Sequence, residues 1–417
     1  MSDFRVMFRN PRFRTLWFAR LISNLGNGMA PTALSFGVLG LPGATAKDLG
    51  IVLAAQAIPI VLFLPIGGVL ADRLPRAVII STTDLILSGF VITSGTLFVT
   101  GHATVTNIAV INVVAGILNA LWWPAFPGLV PAVLGDRDLQ RGNALIAIAS
   151  NAGLISGSGL AGALIAAFGA GTAIVIDGVT FLVAGLLVFT FRHVAKAEPS
   201  GESMMYDLNH GWKTFMSFRW LWVIVGAFSV IVACMRAGFD VGGPVLMKEQ
   251  FDGATSWAII QTAQAIGFLS GAVLAARIKP SRPLIYCLGV TAIMPVGLLA
   301  MAVPTPVWVL AGTGFLLGVC FEQWGVMWGT AMQTHIPREA LSRASAFDAM
   351  GSLILGPVGL GLAGPIIAAF GLRSLFIGCA VVTAVFLVLP LLEREVWNLR
   401  WLDPQDDARP PAEAQPA

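Results

Sequence analysis

The residues best suited to chemistry in this sequence are a few ionisable groups inside long apolar stretches. Glu322 sits far from either boundary of the stretch 305–330. A charge at the centre of a bilayer costs roughly 2.5–3.5 kcal/mol on insertion scales, so a carboxyl group kept there suggests proton titration or cation sensing. A carboxyl that only hydrogen-bonds between helices is the plainer alternative. Arg236 and Asp240 are four apart, hence on one helical face and able to pair; a fixed ion pair explains them as well as proton chemistry does. Asp177 lies near one end of its stretch, and Arg20, Asp84 and Asp348 lie near the ends of theirs. The polar groups Asn24, Asn27, Gln56, Asn119 and Gln264 and the aromatics Trp122, Phe321 and Trp324 are candidates to line a cavity, as amides and rings that could instead only pack helices. Asn112, Gln261, Gln323 and Trp123 belong to the same set.

Other chemistry is not visible. Cys234, Cys287, Cys320 and Cys379 are scattered through apolar runs, and the four histidines fall in expected loops, which gives neither a metal cluster nor a disulfide framework. There is no Gly-rich phosphate loop and no Ser/His/Asp arrangement, so no enzyme, nucleotide drive, cofactor or nucleic-acid partner is expected.

The elements that must position these groups follow from composition. Of the 417 residues, 56% are hydrophobic and 11% charged. A soluble domain carries about 25% charged residues, so lipid is the expected solvent. The apolar runs are continuous and long enough for helices, which need about 20 residues to cross; strands of a barrel would alternate. Twelve spans are expected, near 15–39, 48–70, 78–99, 105–127, 143–168, 171–191, 220–246, 255–276, 283–303, 305–330, 346–370 and 373–392. With that count, only Lys47, Lys248 and Arg373 lie on one side and Arg20 and Arg236 inside spans; every other Lys and Arg lies on the side of the termini. Positive charge marks the cytoplasmic side, so both termini are expected there.

The spans repeat. GLAGALIAAFG at 159–169 returns as GLAGPIIAAFG at 361–371, AQAI at 55–58 as AQAI at 263–266, VLADR at 69–73 as VLAAR at 273–277, and FRTLW at 13–17 as FRWLW at 218–222. At the first of these spacings Gly116 matches Gly318 and Trp122 matches Trp324. The expected organisation is therefore a six-helix bundle over 1–191, a cytoplasmic linker over 192–218, a second six-helix bundle in the same orientation over 219–394, and a disordered tail over 395–417. In the linker Met205, Leu208, Trp212 and Phe215 recur at helical spacing, as on an amphipathic helix at a membrane surface. Parallel six-span repeats place a substrate path between the halves. Small residues recurring along one helix, Gly153, Gly157, Gly159 and Gly162 in span five and Gly356, Gly359, Gly361 and Gly364 in span eleven, are expected to let helices approach closely.

The segment GVLADRLPR at 68–76 resembles the signature loop of the major facilitator superfamily. With FRTLWFARLISNLGNGM at 13–29, LVPAVLGDRDLQRGNAL at 129–145 and IDGVTFLVAG at 176–185, the run from about residue 8 to 394 resembles its drug:proton antiporter branch, which includes macrolide-efflux proteins and the enterobactin exporter. The resemblance implies an all-α membrane protein with the two-bundle major facilitator fold. It implies a monomeric, multi-pass protein of the bacterial inner membrane that exports a small amphipathic organic compound in exchange for protons. It also gives Gly68, Asp72, Arg73 and Arg76 a gating role, in which Gly68 admits a neighbouring helix and Asp72 faces the N-terminal end of span eleven. Three positions depart from the pattern: Pro75 replaces a glycine of the loop, Ser158 follows Gly157 where the antiporter motif has proline, and Asn112 stands where many proton antiporters have arginine. An importer of the same fold and a transport-inactive receptor or assembly protein are the rival readings.

Overall fold

The computed structural model describes residues 8–134, 139–192, 212–213, 215–336 and 338–400. These residues are helical with short connections, and no strand occurs among them. The first bundle contains α1 (Pro11–Leu39), α2 (Ala46–Arg73), α3 (Arg76–Val99) and α4 (Val105–Ala125), followed by the continuous run Leu139–Phe189. That run turns at Gly169, whose φ of 81° is open to glycine, and so divides into α5 (139–168) and α6 (170–189). The second bundle contains α7 (Arg219–Gln250), α8 (Ala254–Ala275), α9 (Pro283–Ala302), α10 (Val307–His335), α11 (Arg338–Leu353 continued by Gly356–Phe370) and α12 (Leu372–Leu392).

Ten helices among the described residues are long and apolar enough to cross a membrane. One of the ten is the 49-residue stretch Arg141–Phe189, which its turn makes into two passes. The twelfth is α1, which is 29 residues long but carries Arg12, Arg14, Arg20, Asn24 and Asn27. The chain thus forms the expected two bundles of six. The repeat is visible in the backbone itself: Gly371, between α11 and α12, has φ 84° and ψ 161°, against 81° and 160° at Gly169. The residues before these turns, Phe168 and Phe370, are 67% and 72% exposed.

Helix starts and breaks follow local chemistry. The Asn10 side chain accepts from the amides of Arg12 and Phe13 at the start of α1, and Thr104 and Asn107 exchange side-chain-to-backbone bonds at the start of α4. In α9 and α11 the helix is interrupted near Ala292 and after Leu353. Pro295 and Pro357 remove the N–H groups that would bond Thr291 and Leu353.

Helices within a bundle touch backbone to backbone. A Cβ at Gly157 would lie 2.0 Å from the Leu25 carbonyl oxygen and one at Gly153 2.4 Å from that of Leu21, so α5 lies directly on α1. The two halves repeat one such contact: Gly116 faces the Gln56 carbonyl (2.3 Å), and Gly318 faces the Gln264 carbonyl (2.1 Å). Not every glycine expected to pack closely does so. Gly68 has open space where a Cβ would go, whereas a Cβ at Gly67 would lie 2.1 Å from the Ala120 carbonyl oxygen. Gly361 is likewise open and Gly356 makes only ordinary contacts, whereas Gly359 faces the Ala233 carbonyl at 2.0 Å.

The bundles meet at the face away from the termini. A Cβ at Gly364 of α11 would lie 2.2 Å from the Lys47 Cα, one at Gly50 of α2 2.4 Å from the Leu360 carbonyl oxygen, and one at Gly162 of α5 2.9 Å from the Thr255 Cα of α8. At the same face the Lys248 ammonium donates to the Leu39 carbonyl at the end of α1. Near the opposite face, the Trp212 and Phe215 rings pack on Phe347 of α11, with centroids 5.5 and 6.1 Å away; Met205 and Leu208 of the expected linker helix lie outside the described residues. The tail expected to be disordered from residue 395 begins with a short helix, Arg394–Asn398. It is held because the Glu395 carboxylate accepts from the Trp220 amide at the start of α7 and Glu393 pairs with Arg219 at 2.7 Å; residues 401–417 lie outside the described residues.

Gly157→Leu should therefore lower stability by about 1–3 kcal/mol through overpacking, seen as a lower thermal midpoint of the purified protein in detergent. Gly361→Ala, at an open position, should change it by no more than about 0.5 kcal/mol.

Candidate functional site

A cavity of about 660 Å³ lies between the bundles, beneath the face where they meet. Its wall takes one face from each of several helices. From the first bundle come Asn27 of α1, Gln56 of α2, Asn112 and Asn119 of α4, and Asp177 of α6; from the second come Arg236 and Asp240 of α7, Gln261 and Gln264 of α8, and Phe321 of α10. Gln56 and Gln264 are repeat partners, placed by the two equivalent glycine–carbonyl contacts behind them. Asn112 and Asn119 each donate to the carbonyl four residues earlier, at 2.9 Å. That satisfies one donor on the helix and leaves the side-chain oxygen as an acceptor. The rest of the wall is aromatic and aliphatic, including Trp123, Phe181, Phe239 and Trp257. A mostly apolar wall with convergent amides suits a small amphipathic molecule.

Two charged features stand out on this wall. Arg236 Nη1 donates to Asp240 Oδ2 at 2.8 Å, and the two form an ion pair on a single wide turn. Asp177 is 4% exposed, and its Oδ1 has no hydrogen-bond partner among the described residues. Gly26 of α1 makes room for it: a Cβ there would sit 2.2 Å from that oxygen and 2.1 Å from the Thr180 hydroxyl. The Arg236–Asp240 pair is self-neutralising, so Asp177 supplies the unbalanced ionisable group of the cavity.

Other sequence candidates are placed elsewhere. Glu322 is off the cavity wall, with its Cβ facing Gly271 of α8; its neighbour Phe321 takes the cavity side, since adjacent residues on a helix point about 100° apart. Asn24, Trp122 and Trp324 also miss the cavity. Asn24 is buried against Gly153 and donates to the Arg20 carbonyl at 2.8 Å. Trp122 stacks on Phe126 at 4.9 Å and Trp324 on Phe228 at 4.8 Å, each at an interplanar angle of 9°. Both rings of this repeat pair thus serve packing, Trp122 against its own segment and Trp324 against α7. The Arg20 guanidinium lies over the Phe126 and Trp122 rings, at 4.2 and 4.9 Å, and Asp348 accepts from Trp328 Nε1 at 3.1 Å. Both charges are thus housed within their bundles. In the expected gate, Arg73 is exposed and Arg76 half-buried with an unpartnered Nε; the Asp72 side chain is outside what the structure describes.

The sequence picked out Asn27, Gln56, Asn112, Asn119, Trp123, Gln261, Gln264 and Phe321 together with Asp177, Arg236 and Asp240, all on the cavity wall. It did not single out the aromatics Phe181, Phe239 and Trp257. Apolar rings in apolar helices carry no signal of direction; the nearest clue was that each falls three or four residues from a polar wall residue.

Comparison with known proteins agrees with this architecture. The family model described as Major Facilitator Superfamily matches residues 16–359. The multidrug efflux pump Tap of Mycolicibacterium fortuitum is 26% identical, over 89% of this chain and 94% of its own length. The quinolone resistance protein NorA of Staphylococcus aureus is 28% identical over 37% of this chain and 38% of its own. Among solved structures, a mutant form of the nucleoside transporter NupG superposes with a TM-score of 0.76 at 12% identity, over 91% of this chain and 99% of that one. A bacterial homologue of the human lysosomal transporter Spinster, in an inward-facing and unoccupied conformation, gives 0.68 at 15% identity, over 94% of this chain and 99% of that one.

The cavity assignment is checked by cysteine accessibility in a background lacking the native cysteines. Trp123→Cys, at a position 52% exposed on the wall, should react with a hydrophilic maleimide. Trp324→Cys, at a position 7% exposed within the second bundle, should be protected.

Proposed function

The chain belongs to the Major Facilitator Superfamily, and we propose that it is a proton-coupled exporter of a small amphipathic organic compound. It is a membrane transporter rather than an enzyme. The observation that carries the finer reading is the buried, unpartnered carboxyl of Asp177 on the wall of an amide-and-aromatic cavity between two bundles.

The charge distribution of the sequence puts the termini in the cytoplasm. The face where Gly364, Gly50 and Lys248 join the bundles is then the outer one, and the cavity beneath it belongs to an inward-facing state. Rocking of the bundles would separate this seal and close the inner ends, moving the cavity from one side to the other. An ionised Asp177 in a dry wall is costly. It is relieved by a proton or by a cationic group of the substrate, and exclusion of one by the other couples their movements in opposite directions. Export rather than import is supported by the names of the relatives, which include multidrug efflux pumps.

The test is substrate-dependent collapse of an imposed pH gradient in everted vesicles, across a panel of amphipathic compounds. Wild type and Glu322→Gln should both respond. Asp177→Asn should lose at least about tenfold in rate, the equivalent of about 1.4 kcal/mol in the transport barrier. A response of Asp177→Asn equal to wild type would place coupling elsewhere, and loss in Glu322→Gln alone would return it to Glu322. Compound accumulation in right-side-out vesicles, driven by the same gradient, would reverse the direction.

A further inference from the structure

In α7 the helix leaves α geometry for one wide turn, the π-helical segment Arg236–Gly242. Pro244 contributes to this: it has no N–H for the Asp240 carbonyl, and the Gly243 amide bonds instead to Gly238, five residues back. Turns of this kind are rare and recur at functional sites. The back of the turn is pressed flat against three helices. A Cβ at Gly238 would meet Leu298 of α9 at 2.4 Å, one at Gly242 would meet Phe376 of α12 at 2.9 Å, and one at Gly243 would meet Trp257 of α8 at 2.4 Å. With its back seated, the turn presents Arg236 and Asp240 to the cavity, their side chains 48% and 32% exposed.

This pair does little for the fold. It links two residues of one turn, so it ties no helix to another, and it faces an open cavity rather than a packed interior. We infer that Arg236 and Asp240 are specificity-determining residues: the pair opens to take a zwitterionic amphipath, its carboxylate on Arg236 and its ammonium on Asp240. This rests on the reading of the cavity as the substrate path.

The argument is one of charge balance. A zwitterion exchanges one internal ion pair for two pairs with the ligand and leaves no charge bare. A simple cation that took Asp240 would strand Arg236, and a simple anion that took Arg236 would strand Asp240. Once a bound ligand covers the pair and displaces its water, stranding one member is the expensive outcome. Arginine suits the exchange, because its planar fork keeps further N–H donors free while one bonds Asp240 and matches a carboxylate in two-pronged geometry. Asp177, the remaining carboxyl on the wall, is left to the proton or to a simple cation.

The test uses the purified full chain in nanodiscs and isothermal titration calorimetry with three ligands on one scaffold: biphenylalanine, its methyl ester (cation only) and its N-acetyl derivative (anion only). Wild type should bind the zwitterion at least about tenfold more tightly than either relative. In Arg236→Gln/Asp240→Asn that preference should fall to about one. Asp240→Asn alone, which frees the guanidinium, should raise the affinity for the N-acetyl anion relative to the ester. No binding by wild type, no preference for the zwitterion, or a preference that survives the double substitution would each overturn the inference. The measurement needs no proton gradient, so it separates from the exporter reading. A zwitterion preference that depends on the pair, combined with silent vesicles, would remove coupled export and keep the site.

Discussion

The structure depends on helices that touch through glycine, backbone against backbone. Lipid tails are as apolar as leucine, so no hydrophobic force draws one membrane helix to another, and packing and close polar contact must do it. Here the contacts recur as a glycine under a carbonyl: Gly157 at Leu25, Gly116 at Gln56, Gly318 at Gln264 and Gly359 at Ala233. Each brings two helix axes nearer than larger side chains allow and fixes their rotation. The side chains on the free face of each helix are thereby aimed, which is why Gln56 and Gln264 reach the cavity from equivalent places.

The same device joins the bundles. Gly364 over Lys47, Gly50 over Leu360 and Gly162 over Thr255 make the seal at one face. Within a bundle, glycine contacts run along whole helices, whereas between bundles they cluster near helix ends. A structure joined in this way has stiff halves and a breakable seam, the mechanical requirement for a cavity that opens to one side at a time.

The electrostatics follow from where these rigid halves leave space. Charges near helix ends are absorbed by aromatic neighbours, as Arg20 is by Phe126 and Trp122 and Asp348 is by Trp328. Charges on the cavity wall are handled in two ways. Arg236 and Asp240 neutralise each other on a widened turn, and Asp177 has no ion partner. The cavity thus joins a balanced dipole to one unbalanced acid. On the proposed reading, these are the elements that distinguish a zwitterion, a cation and a proton.

Sequence alone determined the solvent, the helix count, the repeat and the inventory of polar groups. Each is written in composition or spacing, and the equal torsions of Gly169 and Gly371 show how faithfully the repeat passes into backbone. Eleven of the residues named from sequence lie on the cavity wall. What only the tertiary structure decided was direction. Glu322 and Phe321 are adjacent, yet Phe321 lines the cavity and the Glu322 Cβ sits against Gly271 of α8. Gly67 rather than Gly68, and Gly359 rather than Gly361, bear the helix contacts. In a helix that is apolar all round, periodicity does not say which face meets a neighbour and which meets lipid; the rotation of each helix is set by the carbonyl on which its glycine rests.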